Sequence, residues 1–225
     1  MKKYLVPIWI IGGIILSLLL IGCAMAQSAK INLIKLAETG DLMAIEQAFK
    51  NGTNLEQRDW RLRTPLMAAT HTNQIQVARF LMEHGADVNA KDASLDSPYL
   101  YAGAKGLKEI LTMTLTHGAD LKSTNRYGGT ALIPAAERGH VQVVQMLIDA
   151  GVDVNHVNFL GWTALIEAII LGDGSNKYAQ IVQQLITGGA DVNLTDHLGN
   201  TPLKLAKQKG YQQLVQILQN AGAKE

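Results

Sequence analysis

A hydroxyl residue opening a short apolar block returns at a fixed interval along this chain. Thr64, Ser97, Thr130 and Thr163 stand 33 residues apart, and Thr201 follows after 38. A regular interval of this length marks one supersecondary unit copied several times. The stretch 126–158, RYGGTALIPAAERGHVQVVQMLIDAGVDVNHVN, shows what the unit contains. Thr130 stands where a hydroxyl would accept a hydrogen bond from an orphaned helix amide, and Ala131 opens a short helix that ends near Gly139. Val143, Val144, Leu147 and Ile148 then fall on one face of a second helix, closed by Ala150-Gly151, and a turn begins at Asp153 and Asn155. Two helices this short cannot bury their apolar faces against each other alone. Each unit therefore depends on copies of itself on either side.

The copies share chemistry as well as spacing. Five openings read TPLMAA at Thr64, SPYLYA at Ser97, TALIPA at Thr130, TALIEA at Thr163 and TPLKLA at Thr201; four closings read HGADVN at His84, HGADLK at His117, AGVDVN at Ala150 and GGADVN at Gly188. On these residues the chain resembles the ankyrin repeat family, whose units open on T-P-L-H-x-A. The histidine of that opening is absent from all five copies. The resemblance implies an all-α solenoid over residues 30–225, with about six helix-turn-helix units and protruding β-turn fingers.

Taken in order, Leu33, Ile34, Leu36 and Ala37 mark a first helix, and Leu42, Ile45, Ala48 and Phe49 a second, stopped by Asn51-Gly52. Lys35, Glu38, Glu46 and Lys50 give this first unit the polar outer face of a cap, and Gln212, Gln213, Gln216 and Gln219 do the same for the last. In the second and third units Leu62 and Leu95 replace the family's turn glycine, so those fingers are expected to depart from the usual tight turn. Pro65 and Pro98 suit first helical positions, whereas Pro134 lies deeper and predicts a slight kink. The five extra residues of the fifth unit are placed in Gly172-Asp173-Gly174-Ser175-Asn176-Lys177, between its helices.

Ahead of the repeats, Lys2-Lys3 precede an uncharged run from Tyr4 to Ser28, which reads as an export signal over residues 1–26. Leu20-Ile21-Gly22-Cys23 resembles a bacterial lipobox, with Cys23 as the lipidated residue. Ala24-Met25-Ala26 is also a small-residue cleavage site after Ala26, and the run is long enough to be an uncleaved anchor. The expected location is the bacterial cell envelope, in the periplasm, either soluble or as an outer-membrane lipoprotein. Membrane attachment is expected only through the N-terminus. Cys23 is the one cysteine, so the repeats carry no disulfide. The formal charge of +1 becomes −1 once Lys2 and Lys3 are removed, which gives no electrostatic case for nucleic acid.

No catalytic motif is present: the chain lacks G-x-S-x-G, H-E-x-x-H, a P-loop and C-x-x-C. His84 and His117 occupy the same position in adjacent units and read as repeats of one another rather than metal ligands. No cofactor is implied. Glu137, Glu167 and Asp173 are acids that could line a groove, and the Gly172–Lys177 insertion could form a ligand loop. These leave a hydrolase or small-ligand-binding protein as the alternative expectation.

The resemblance instead implies that a partner protein docks on the finger tips and the exposed sides of the first helices. Transferred to this sequence, that surface takes Trp60, Arg61 and Arg63 from the second unit, Arg126, Tyr127 and Arg138 from the fourth, and Phe159, Leu160 and Trp162 from the fifth. His71, Ser94, Asp96, Lys105, Glu137, His197, Leu198, Asn200 and Lys209 extend it. Trp60, Tyr127 and Phe159 fall at turn tips where no core demands an aromatic, and Trp, Tyr and Arg dominate protein–protein hot spots. The expected function is a non-enzymatic scaffold or inhibitor that binds another protein on this face.

Overall fold

The structure, a computed structural model, describes residues 32–225. The export signal, Cys23 and the cleavage site after Ala26 lie outside the described residues. Among the described residues there are twelve helices and no strand. They form six pairs: α1 (Leu33–Thr39) with α2 (Leu42–Lys50), α3 (Pro65–His71) with α4 (Ile75–Glu83), and α5 (Pro98–Lys105) with α6 (Lys108–Thr116). Next come α7 (Leu132–Glu137) with α8 (Val141–Asp149), α9 (Ala164–Ile170) with α10 (Asn176–Thr187), and α11 (Pro202–Lys209) with α12 (Gln212–Asn220).

Each first helix packs on the next, in a row α1, α3, α5, α7, α9, α11, and the second helices form a row behind them. The alanines that end each opening block, Ala69, Ala102, Ala135, Ala168 and Ala206, are all fully buried. A methyl group at this column lets neighbouring helices approach closely. The larger side chains of the next column, Leu66, Tyr99, Leu132, Leu165 and Leu203, fill the space between the two rows. The core is thus a continuous seam, because every pair borrows half of its apolar contact from its neighbours. The position of the family's missing histidine is also apolar and buried in four repeats, as Met67, Leu100, Ile133 and Ile166, while Lys204 of the last repeat is exposed.

Thr64, Ser97, Thr163 and Thr201 cap their helices through the side-chain oxygen, which accepts from the amide three residues on at 3.1–3.2 Å. Thr130 does not: its hydroxyl is buried without a partner, and α7 starts only at Leu132. The cause is Pro134. In the other four repeats the residue four after the cap donates its amide to the cap carbonyl and closes the first turn, as Ala68, Tyr101, Glu167 and Leu205 do. Proline has no such proton. The result is a six-residue helix that starts late.

The insertion is also shared differently from the expectation. α10 has twelve residues where the other second helices have nine, so three of the five extra residues lengthen a helix. The remaining two widen the connector, Leu171 to Ser175.

Every finger is built on one side chain. Asp59, Asp92, Asn125, Asn158 and Asp196 each accept two backbone amides, two and four residues on, at 2.7–3.2 Å. The tight turn this enforces needs a positive φ at its third residue, which Gly128, Gly161 and Gly199 supply. Leu62 and Leu95 adopt it too, at φ 58° and 60°, and keep the same closing bond to the Asp carbonyl. Their fingers therefore match the others, against the expectation, because the Asp bonds hold the backbone where a leucine disfavours it.

A second ladder joins successive repeats behind the fingers. Asn89 accepts from the Asp120 amide and donates to the Gly118 carbonyl. Asn155 does the same to Asp191 and Gly189, Glu56 accepts from Asp87, and Asn193 from Lys224. Lys122 occupies this column between the third and fourth repeats, and no such bond forms there among the described residues. At the same junction α6 and α8 make the least contact of any neighbours in their row.

Two outcomes follow from these columns. Leu95→Gly should stabilise the chain by about 1 kcal/mol in urea denaturation, since a side chain held left-handed costs roughly 1–2 kcal/mol and added unfolded-state freedom offsets part of the gain. Lys122→Asn should complete the ladder to the Asp153 amide and stabilise by about 1 kcal/mol per hydrogen bond formed, with amide-exchange protection rising in α6 and α8.

Candidate functional site

The finger tips carry the largest exposed apolar side chains of the repeats. Trp60, Phe159 and Leu198 are 82%, 75% and 85% exposed, and Tyr127, Leu160, Leu62 and Leu95 are about half exposed. Backbone bonds tie the fingers in two places, from the Ala93 amide to the Arg61 carbonyl and from the Phe159 amide to the Tyr127 carbonyl. Guanidinium groups lie over two of the rings, Arg61 at 4.5 Å from the centre of Trp60 and Arg126 at 5.0 Å from that of Tyr127. A ring already covered by a cation on one face presents the other at little cost in side-chain ordering. Phe159 instead leans over Gly128 of the preceding finger, in space that a Cβ there would occupy.

Arg63 is engaged within the fold. Its guanidinium pairs with Glu38 at 2.8 Å and Asp59 at 2.7 Å, and its side chain is only 12% exposed. It joins the second finger to the first repeat. Burial raises the Asp59 pKa, but the Arg63 and Arg61 amides and the Arg63 guanidinium outweigh this and hold it below its ordinary value. His84 and His117, equivalent in sequence, end α4 and α6, and Nδ1 of each donates to the carbonyl four residues earlier at 2.7 Å. These histidines close helix ends. No group of three potential metal ligands occurs among the described residues.

Beneath the fingers, the first helices of the third to fifth repeats enclose a recess of about 460 Å³. From the third repeat come Asp96, Tyr101 and Lys105, from the fourth Arg126, Tyr127, Glu137 and Arg138, and from the fifth Asn158, Leu160, Trp162 and Glu167. The structure thus brings together Arg126, Tyr127, Arg138, Leu160 and Trp162 of the predicted surface. Trp60, Arg61 and Phe159 stay on the exposed tips. Arg138 spans α7 to α5 by donating to the Ala104 carbonyl at 2.6 Å. Lys105 lies 5.6 Å from the centre of the Tyr101 ring.

Glu167 is the exceptional member, being 6% exposed on α9. Its Oε1 accepts from Asn158 Nδ2 at 2.7 Å, and Asn158 Oδ1 meanwhile holds the fifth finger. Burial, followed by the nearby Glu137 carboxylate, pushes the Glu167 pKa up to about 7, against the Asn158 bond and the Arg138 charge. The acid therefore changes charge near neutrality. Of the three acids marked in the sequence, Glu137 and Glu167 share the recess. Asp173 is fully exposed and binds the Ser175 amide of its own loop, and no residue of 172–177 lines the recess.

Tyr101 and Asn158 were not predicted as site residues, yet a signal existed. Tyr101, Pro134 and Glu167 occupy one column of the repeat, four residues after the cap, so any cavity spanning three repeats must meet all three.

An acid with a raised pKa destabilises the fold once ionised. Between the ordinary value of 4.5 and about 7 the folded state holds the proton that the unfolded state has lost, so stability falls as pH rises through this window. Glu167→Gln keeps the acceptor for Asn158 and removes the titration. Denaturation should show it close to native stability at pH 4 and more stable by on the order of 2 kcal/mol at pH 8.

Comparison with known proteins places these features in context. The family model for ankyrin repeats in three copies matches residues 99–175, and the single-repeat ankyrin model matches 61–93 and 160–197. The chain is similar to a solved ankyrin repeat domain from Acinetobacter baumannii AYE, at 58% identity and a TM-score of 0.84, covering 85% of this chain and 98% of that one. It is also similar to the solved ankyrin repeat protein EF0377, at 42% identity and a TM-score of 0.80, covering 83% and 96%. No curated protein matches. With family models matching more than half of its length and a solved relative 58% identical over most of it, the chain belongs to the ankyrin repeat family.

Proposed function

We propose that this chain is a non-enzymatic scaffold or inhibitor of the bacterial cell envelope, holding another protein along its fingers and the exposed sides of its first helices. Ankyrin repeats generally mediate protein–protein interaction. The observation that carries the reading for this chain is the row of exposed Trp60, Tyr127 and Phe159 on fingers fixed by their own Asp or Asn side chains. Large rings on a rigid backbone lose little freedom on docking, which is what a hot spot requires. Arg61 and Arg126, stacked on two of these rings, add charge-assisted donors at the same tips. Leu160, Trp162 and Arg138, which line the recess, extend the surface inward.

The envelope location rests on the sequence of residues 1–26, with Cys23 as the lipid-bearing residue of a lipobox or Ala26 as the last residue before cleavage. No helix of the described residues is long and apolar enough to cross a membrane. The hydrolase or small-ligand reading of the Gly172–Lys177 insertion has less support, since that loop stands apart from the recess and binds its own backbone.

Two measurements test this. Pull-downs from envelope extracts should recover proteins with the native chain that are lost, by at least tenfold, with the combined variant Trp60→Ala, Tyr127→Ala and Phe159→Ala, and retained with Gln213→Ala on the outer helix row. Equal recovery with all three baits rules the scaffold reading out. Labelled palmitate should enter the native chain and not Cys23→Ala, and an unlabelled native chain leaves the soluble, cleaved form.

A further inference from the structure

The recess beneath the fingers holds more acid than the fold uses. Glu167 lines the recess and its Oε1 accepts from Asn158, while no hydrogen bond to its second oxygen occurs among the described residues. Glu137 and Asp96 share the same lining, and among the described residues neither side chain has an ion pair. Three basic groups share the lining: Arg138 donates to the Ala104 carbonyl, Arg126 lies over Tyr127 and Lys105 over Tyr101. None forms an ion pair with a carboxylate of the recess.

Resting on the scaffold reading, we infer that this recess receives a basic side chain, an arginine or lysine, from the bound protein, with Glu167 as its counter-ion. In the other repeats the same column carries Ala68, Tyr101, Pro134 and Leu205, so the stack itself has no need of an acid there. A carboxyl that is 6% exposed with a second carboxylate beside it opposes folding when charged. A cation seated between Glu167 and Glu137 removes that opposition and gains two charge-assisted contacts. Trp162 stands in the same lining, where the methylenes of a long basic side chain can pack on it. A neutral guest would leave both acids unpaired, and an anionic one would set its attraction to Lys105, Arg126 and Arg138 against repulsion from both carboxylates. At about 460 Å³ the recess has room for a long side chain together with water.

The proposal is tested by titrating the purified chain with N-acetyl-arginine amide, its citrulline counterpart of equal shape without charge, and N-acetyl-glutamate amide. The Trp162 indole proton is followed by NMR and assigned through Trp162→Phe. The arginine probe should shift that proton saturably and bind at least tenfold more tightly than the citrulline and glutamate probes, with Glu167→Gln weakening it at least tenfold. Affinity for arginine should rise about tenfold between pH 6 and pH 8 as the Glu167 carboxyl ionises, and stay flat in Glu167→Gln. That flatness assigns the step to Glu167 rather than to Asp96, Glu137, Lys105, Arg126 or Arg138 around it. Equal binding of citrulline, preferred binding of glutamate, or an unchanged Glu167→Gln variant overturns the inference. Arginine binding with no partner lost from the finger variants defeats the scaffold reading alone. Loss of the partner from those variants with no arginine binding defeats the recess inference alone.

Discussion

Helices of six to twelve residues do not persist in water on backbone hydrogen bonds, because the cost of starting a helix is spread over too few turns. What holds them here is contact between copies. The buried alanine column brings first helices together, the leucine column fills the gap to the second row, and each pair supplies half of a surface that its neighbour completes. Position in the repeat therefore governs the role of a residue more than its place in the chain does. A substitution in one column is felt in the adjoining repeats, and little further.

This dependence explains why so much of the fold was legible in the sequence. Caps, helix faces and finger positions recur at one interval, so each is read several times over, and the exposed glutamines of α12 and the Pro65 and Pro98 starts appear where the pattern puts them. The misreadings share one physical source, which is that a local preference was outvoted. At Leu62 and Leu95 two amides bound by one aspartate overcome the reluctance of leucine to turn left. At Thr130 the hydroxyl is present, but a proline four residues later withholds the bond that would draw the turn shut.

The candidate site was legible in part. Exposed aromatic tips follow from finger positions, and the structure places Trp60, Tyr127 and Phe159 in the open. The engagement of Arg63 with Glu38 was hidden, because it joins a finger to a repeat that lacks the opening motif. Nor does any single repeat show the recess. It exists where three unlike residues of one column, Tyr101, Pro134 and Glu167, meet the asparagine that fixes the next finger. Consensus is informative about the scaffold, and departures from consensus about the site.

The interrupted ladder at Lys122 bears on the recess. On the recess side the third and fourth repeats are tightly joined, with Gly103 against Ala131 and Arg138 reaching across to Ala104, whereas behind them the loops and α6 and α8 are loosely coupled. The two sides of this junction are therefore unequally bonded, with more contact on the recess side than behind it. The recess lies on the better-bonded side, and its lining is drawn from the repeats on both sides of the junction. An occupant of the recess would therefore touch repeats on both sides of the one junction whose outer ladder is interrupted.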